Sequence, residues 1–292
     1  MSSFSDPARG AKGQHEQGAR HRHKRPLATV LVERGFFEQL DDARRWIMAG
    51  NIVVNDQLLD KPGMLVPYDA HIRVRGRARY ASRAGYKLEA ALEYFTIEVR
   101  DHVALDCGAS TGGFTDCLLQ HGARLVYAVD VGHDQLIDRL RADARVRNLE
   151  RTNLSDLTTG RLDPAPTLIT LDLSYLSLTR ALPIAAALLA AEGQILALVK
   201  PLFEVESSEA RQTGHIEDVD ILVDALQRVL EAGTACGLSV QGLAKLALQP
   251  RHGVHEFIAS FSRGLHTTSR QYDEQTLLTI IEGSGIGHTV VE

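Results

Sequence analysis

The sequence predicts an α/β protein: a mostly parallel sheet with helices on both faces and an antiparallel edge, preceded by a small α+β domain. Three observations carry this. From about residue 103 onward, short apolar runs alternate with amphipathic helix-like stretches, the pattern of a parallel sheet covered on both sides. Within that region, Val103, Ala104 and Leu105 lead through Asp106 into a turn holding Gly108, Gly112 and Gly113. The charge also divides unevenly: residues 1–80 hold 14 Lys+Arg against 9 Asp+Glu, and the remaining 212 hold 18 against 28. A basic front on an acidic body is expected when one domain grips phosphate and another does chemistry.

Taken in order, residues 1–25 are polar, rich in Gly, Ser and His, and lack apolar periodicity. They predict a disordered basic tail. Residues 26–76 predict the small domain. Leu27, Val30 and Leu31 suggest a short helix stopped by Gly35. Asp41 and Asp42 open a second helix with Ala43, Trp46 and Ile47 on one face and Gly50 at its end. Strands at 52–54 and 72–74, joined through polar residues and the Lys61-Pro62-Gly63 turn, suggest a hairpin. An arginine-rich linker follows, placed at 77–81, and residues 82–292 form the large domain. There, Ser82 is a plausible N-cap for an amphipathic stretch reaching Phe95. Strands are expected near 124–129, 145–149, 167–171 and 194–199, and helices near 112–121, 177–191 and 216–236. Strands near 238–248 and 254–260 supply the antiparallel edge. The last thirty residues predict one weak helix near 273–283 and no function.

Composition excludes several classes. Hydrophobic content of 44% and charged content of 24% describe an ordinary globular protein. The three cysteines, Cys107, Cys117 and Cys236, are odd in number and make no C-x-x-C, so neither a disulfide framework nor a zinc site is expected. A reducing, cytoplasmic setting fits that usage. The apolar run from Ala181 to Ala191 is stopped by Glu192 and is too short to cross a bilayer. No signal-peptide pattern opens the chain, so no membrane partner is expected.

The glycine turn points to a nucleoside ligand. Strand, tight turn and helix start make a backbone that can lie flat against a nucleotide. The next strand, LVYAV, ends on Asp130, where a carboxylate can accept hydrogen bonds from ribose hydroxyls. Gly108 to Gly113 reads G-x-x-x-G-G, unlike the G-x-G-x-x-G of dinucleotide sites, and Asp106 before it repels phosphate while suiting a cation. S-adenosylmethionine carries a sulfonium and an amino group and no phosphate, so it matches such a pocket. The plain alternative is a buried strand-turn-helix with structural glycines.

Four charged residues sit at strand ends or beside the sheet, where open α/β sheets bind ligands. Asp172 ends TLITL, Lys200 ends ILALV, Glu256 falls within the late strand, and Lys87 lies on the helix before the sheet. Any one alone reads as a solvated charge. Two lysines and two acids around one turn make a candidate reaction centre.

The stretch DDARRWIMAGNIVVNDQ resembles the small RNA-binding module shared by a small-subunit ribosomal protein, pseudouridine synthases and tyrosyl-tRNA synthetases. The Ser-Arg pair that usually opens its helix is here Gln39-Leu40. The Lys, Asp, Lys, Glu set resembles the FtsJ-like class of ribose 2′-O-methyltransferases. The longer set SRAGYKL, DCGASTGGFTD, YAVDVG, ERTNLSDL, LDLSYLSL and LVKPLFE, from about Pro26 to about Phe261, resembles the TlyA family. That family joins the RNA-binding module to an FtsJ-like, Rossmann-like methyltransferase domain and methylates ribosomal RNA. The resemblance implies a catalytic tetrad of Lys87, Asp172, Lys200 and Glu256. It implies S-adenosylmethionine contacts at Asp106, Gly108, Ser110, Thr111, Gly112, Gly113, Phe114, Asp130, Val131, Asn153, Leu154 and Asp172. It implies RNA contacts at Arg44, Arg45, Arg77, Arg79 and Arg83, with ribosomal RNA or ribosomal subunits as partners and no metal. Two departures stand out: Gly253-Val254-His255-Glu256 replaces Gly-Asn-x-Glu, and Arg77-Ala78-Arg79-Tyr80-Ala81 replaces the usual linker tetrapeptide.

The implied chemistry needs these residue types. A ribose hydroxyl is a poor nucleophile at neutral pH, so a base must take its proton as it attacks the methyl group in line. A lysine serves only where desolvation or a neighbouring cation favours its neutral form. Lys87 would be that neighbour for Lys200, with Asp172 and Glu256 orienting the two. The alternative is an RNA-binding ribosome-assembly factor whose methyltransferase fold is inactive. Membrane lysis, suggested by the haemolysin label of the TlyA family, finds no secretion signal, spanning helix or basic amphipathic helix here.

Overall fold

In the computed structural model the chain forms two compact units, Met1–Ala78 and Arg79–Glu292. The structure describes residues 24–34, 36–37, 39–75, 79–205, 216–247, 255–264 and 268–287. The predicted tail therefore lies outside the described residues except at its end, where Lys24 and Arg25 belong to a strand.

The first unit runs β1 (Lys24–Pro26), α1 (Leu27–Glu33), α2 (Leu40–Met48), β2 (Ile52–Val54), β3 (Gln57–Leu59), β4 (Leu65–Pro67) and β5 (Ile72–Val74). The two helices are those expected, and Leu27, Leu31, Ile47 and Ile52 are wholly buried between them and the strands. The strands correct the single expected hairpin. β2 pairs antiparallel with both β3 and β5, and β1 pairs with β4. β1, β3 and β4 read KRP, QLL and LVP, with at most one β-branched residue each, and so lack the Ile and Val that mark β2 and β5. The tight β2–β3 turn uses Asn55 (φ 47°) and Asp56 (φ 64°), residue types that tolerate the left-handed region.

The second unit starts with α3 (Ala84–Phe95), β6 (Val103–Cys107), α4 (Gly113–Gln120), β7 (Leu125–Val129), α5 (Asp138–Arg141) and β8 (Val146–Leu149). It continues through β9 (Leu168–Leu171), α6 (Leu178–Leu188), β10 (Gly193–Val199), α7 (Pro201–Glu204) and α8 (Val219–Ala235). Last come β11 (Ser239–Lys245), β12 (Phe257–Arg263) and α9 (Glu274–Glu282). The seven-stranded sheet has the order β11-β12-β10-β9-β6-β7-β8. Strands β10, β9, β6, β7 and β8 are parallel, and β12 runs antiparallel to both β10 and β11. β12 begins three residues later than predicted, so Glu256 precedes the strand.

Alternation of side chains sends each strand into two cores. Leu105 and Cys107, Ile169 and Leu171, Ile195 and Ala197, and Phe257 and Phe261 pack against α6, α8 and α9. Ala104, Val126, Leu196 and Ile258 face the other way, toward α3 and α4. Both faces are thereby covered, which is why these strands read as nearly continuous apolar runs.

The end of the predicted linker is part of this unit. Tyr80 is 1% exposed and its hydroxyl donates to Glu89 Oε1 at 2.9 Å. The Ala81 N–H donates to Asp116 Oδ2 at 2.8 Å. Arg83, not the expected Ser82, is the N-cap of α3 and makes no side-chain capping bond; Ser82 stands one residue earlier, its Oγ accepting the Ala84 N–H at 3.3 Å.

Candidate active site

The turn after β6 is shaped by its glycines. Gly108 has φ 91° and Gly112 has φ 100°, a region that side chains rarely adopt. A Cβ on Gly108 would strike the Asp172 carbonyl oxygen, and one on Gly112 would strike Leu140. Gly113 opens α4 packed against the Ser82 side chain. The Ser110 and Thr111 side chains stay exposed at the tip.

Asp130 directly follows β7 beside this turn. Its Oδ2 accepts the Ser110 N–H at 2.8 Å and its Oδ1 accepts the Gly132 N–H at 2.7 Å. Each carboxylate oxygen keeps a further lone pair for a ligand hydroxyl. Val131 is 45% exposed, and Ser110 Oγ donates to Gln135 Oε1 at 3.2 Å. Asn153, further along the same rim, accepts the Ser155 N–H at 3.1 Å.

Three residues expected to contact the cofactor do not face open space. Asp106 is fully buried. It accepts hydrogen bonds from Thr115 Oγ1 at 2.7 Å and Thr170 Oγ1 at 3.1 Å. Burial pushes its carboxyl up to about 7, against the pull of the two threonine hydroxyls. It braces the turn from beneath rather than presenting charge to a sulfonium. Phe114 is 2% exposed in the α3–α4 core, and Leu154 is wholly buried in the other. Their apolar bulk serves packing.

The four charged residues assemble as two ion pairs. Lys87 Nζ lies 2.6 Å from Glu256 Oε2, and Lys200 Nζ lies 2.5 Å from Asp172 Oδ1. These are close ion contacts, not aligned hydrogen bonds, since neither carboxylate oxygen meets hydrogen-bond geometry. Lys200 also donates to Ser174 Oγ at 3.1 Å and lies 5.9 Å from the centre of the Phe203 ring. Topology explains the gathering. Asp172 and Lys200 directly follow the adjacent parallel strands β9 and β10. The antiparallel register, with Val199 opposite Phe257, brings Glu256 to the same end.

The arginines are distributed over both units. Arg44 pairs with Asp41 at 3.1 Å and Arg45 contacts Asp42, while both side chains remain largely exposed. Such surface pairs along one helix are weak, so they leave the guanidinium groups available to phosphate. Arg79 is ion-paired with Glu89 and stacks on Tyr80 at 5.1 Å; Arg83 is exposed. Arg77, Gly253 and Val254 lie outside the described residues. Among the described residues, no group of three or more His, Cys, Asp or Glu side chains is placed to hold a metal ion.

Ser174, Gln135, Thr115 and Thr170 were not singled out from the sequence. Ser174 had a signal, since it lies in the loop that Asp172 opens. The threonines had none, because they act through burial beside Asp106.

A glycine turn after β6, with β12 inserted antiparallel beside β10, gives the Rossmann-like sheet of a methyltransferase. The FtsJ-like methyltransferase family matches residues 80–263, and the chain belongs to that family. It is 38% identical over 266 residues to YqxC of Bacillus subtilis (strain 168), named as a candidate rRNA methyltransferase, covering 89% of this chain and 93% of the relative. It is 34% identical over 229 residues to the 16S/23S rRNA (cytidine-2′-O)-methyltransferase TlyA of Mycobacterium tuberculosis, covering 78% and 85%. A solved structure from Streptococcus thermophilus, described as a candidate hemolysin, shares 38% identity with a TM-score of 0.65, covering 89% of this chain and 95% of that one. Among the described residues no helix is long and apolar enough to cross a membrane.

Proposed function

We propose that this chain transfers a methyl group from S-adenosylmethionine to a ribose 2′-hydroxyl of ribosomal RNA. The pairing of Lys200 with Asp172 and of Lys87 with Glu256, at the strand ends beside the glycine turn, supports it most directly. The names of its relatives YqxC and TlyA support the RNA substrate.

The residues present fit this cofactor. The glycines let the turn lie tight against the Asp172 carbonyl and Leu140, Asp130 offers carboxylate oxygens for ribose hydroxyls, and residues 106–114 include no Lys or Arg for a pyrophosphate. Gly108, Ser110, Thr111, Gly112 and Asp130 would hold it, with Val131 and Asn153 along the rim. When bound, S-adenosylmethionine supplies a methyl group made electrophilic by its sulfonium. Lys200 Nζ would take the proton of the ribose 2′-hydroxyl, so that the oxygen need not become a free alkoxide before it attacks. Asp172 and Ser174 fix where that amine points. Lys87, held by Glu256, adds positive charge at the oxygen. Positioning hydroxyl and methyl in line supplies much of the remaining acceleration.

The test is incubation of the purified protein with methyl-labelled S-adenosylmethionine and unmodified ribosomal subunits. Label should enter ribosomal RNA at a nucleotide whose 3′ phosphodiester then resists alkali, because the methylated 2′-oxygen can no longer attack it. Label on a base would overturn the ribose assignment. Tight RNA binding with no label would leave an assembly factor.

A further inference from the structure

Glu204, outside the four charged residues, is only 5% exposed. It ends α7, the short helix that begins directly after Lys200. Ser177 Oγ donates to its Oε2 at 2.6 Å, and the Leu178 N–H lies 2.9 Å and 3.1 Å from its two oxygens. These residues open α6, and the loop leading to them starts at Asp172. Lys200 grips the near end of that loop at Asp172 and Ser174, while Glu204 grips the far end. Glu204 therefore caps α6 from outside the helix and ties its first turn to the segment that carries Lys200. α6 has its own cap as well, since Ser177 Oγ accepts the Thr179 N–H at 3.2 Å. Burying a carboxylate is costly unless its bonds are fully made.

We infer that Glu204 is a positioning residue for methyl transfer, acting through Lys200 by fixing the loop from Asp172 to Ser177 against the segment that carries the lysine. The inference rests on the role proposed for Lys200. The lysine stem is flexible, so its aim depends on where Asp172 and Ser174 stand. A loop displaced at Ser177 would carry both away.

The test is a cycle of four full-length proteins: wild type, Glu204→Gln, Lys200→Ala and the double variant, assayed in single turnovers with saturating RNA and S-adenosylmethionine. Glutamine keeps the size of the side chain and loses one acceptor toward Leu178 and Ser177. Glu204→Gln should lower the rate about tenfold, within the loss expected from misplacing a reacting group, with RNA KM and cofactor Kd within about twofold of wild type. In the Lys200→Ala background it should lower the rate no further, the signature of two residues acting as one unit. Additive losses, or a loss confined to KM, would overturn the inference alone. A wild-type rate for Lys200→Ala would overturn it together with the proposed base. Should Glu204→Gln not fold, Ser177→Ala carries the same cycle with a loss of about threefold to tenfold, the worth of one hydrogen bond.

Discussion

The Ser110 amide donates to the Asp130 carboxylate at 2.8 Å, so the tip of the glycine turn and the end of the neighbouring strand β7 are one hydrogen-bonded unit. Asp130 thereby shapes the turn, and in the proposed function it also offers oxygens to a ribose. Asp130→Ala should weaken S-adenosylmethionine binding by about 1–3 kcal/mol, the loss when a charged partner is removed from a ligand hydroxyl and a turn amide. Titration calorimetry measures it. Unchanged affinity would move the ribose elsewhere, and equal affinity of the wild type for NAD would refute the choice of cofactor.

Lys200 is the sharpest probe of the proposed chemistry. Lys200→Ala should slow methylation about 10²–10⁴-fold, the usual worth of a positioned base, with little change in RNA affinity. Lys200→Arg should be nearly as slow, because a guanidinium does not release its proton at accessible pH. A wild-type rate for the arginine variant would mean that the position supplies charge only.

Asp106 predicts a pH dependence of stability. Burial raises its carboxyl to about 7, from an ordinary value near 3.8. Between about pH 4 and pH 7 the folded protein thus holds a proton that the unfolded chain has released, and stability falls as pH rises through that window. This contribution is fully present below the lower value and lost above the upper one. Asp106→Asn removes the titration. Urea unfolding at about pH 5 and pH 8 should show wild type losing more stability than the variant across that interval; parallel losses would place the effect in another group.

The exposed pair Arg44 and Arg45 tests the front unit. Changing both to Gln should lower RNA affinity and flatten its dependence on salt by up to about two units of slope, one per phosphate contact. Stability should fall by less than about 1 kcal/mol, because only surface pairs with Asp41 and Asp42 are lost. Filter binding at several salt concentrations reads both quantities. An unchanged slope would show that the helix does not touch phosphate.

Much of the large sheet was legible because parallel strands buried on both faces leave long apolar runs. Asp130, Asp172 and Lys200 were legible because each directly follows such a run. Glu256 was found by motif and misplaced within its strand, since the pattern around Gly253 and Val254 blurs where β12 begins. The role given to Asp106 failed for a physical reason: a carboxylate at the end of an apolar strand looks the same in sequence whether it faces a ligand or two threonines. The partner of Lys87 could not be read either, because it depends on which strand lies beside β10.

That strand gives the molecule a particular history of assembly. A growing chain completes the glycine turn and Asp130 early, when only β6 and β7 have emerged. β10 then waits with one edge open until β12, encoded far downstream, slots in between it and β11. An apolar strand with an open edge invites pairing with other chains, so until β12 arrives that edge of β10 is a template for aggregation. Closing that edge is also what delivers Glu256 to Lys87. One late event therefore protects the sheet and completes the cluster of charges, and a chain halted before it would hold the glycine turn without the second ion pair.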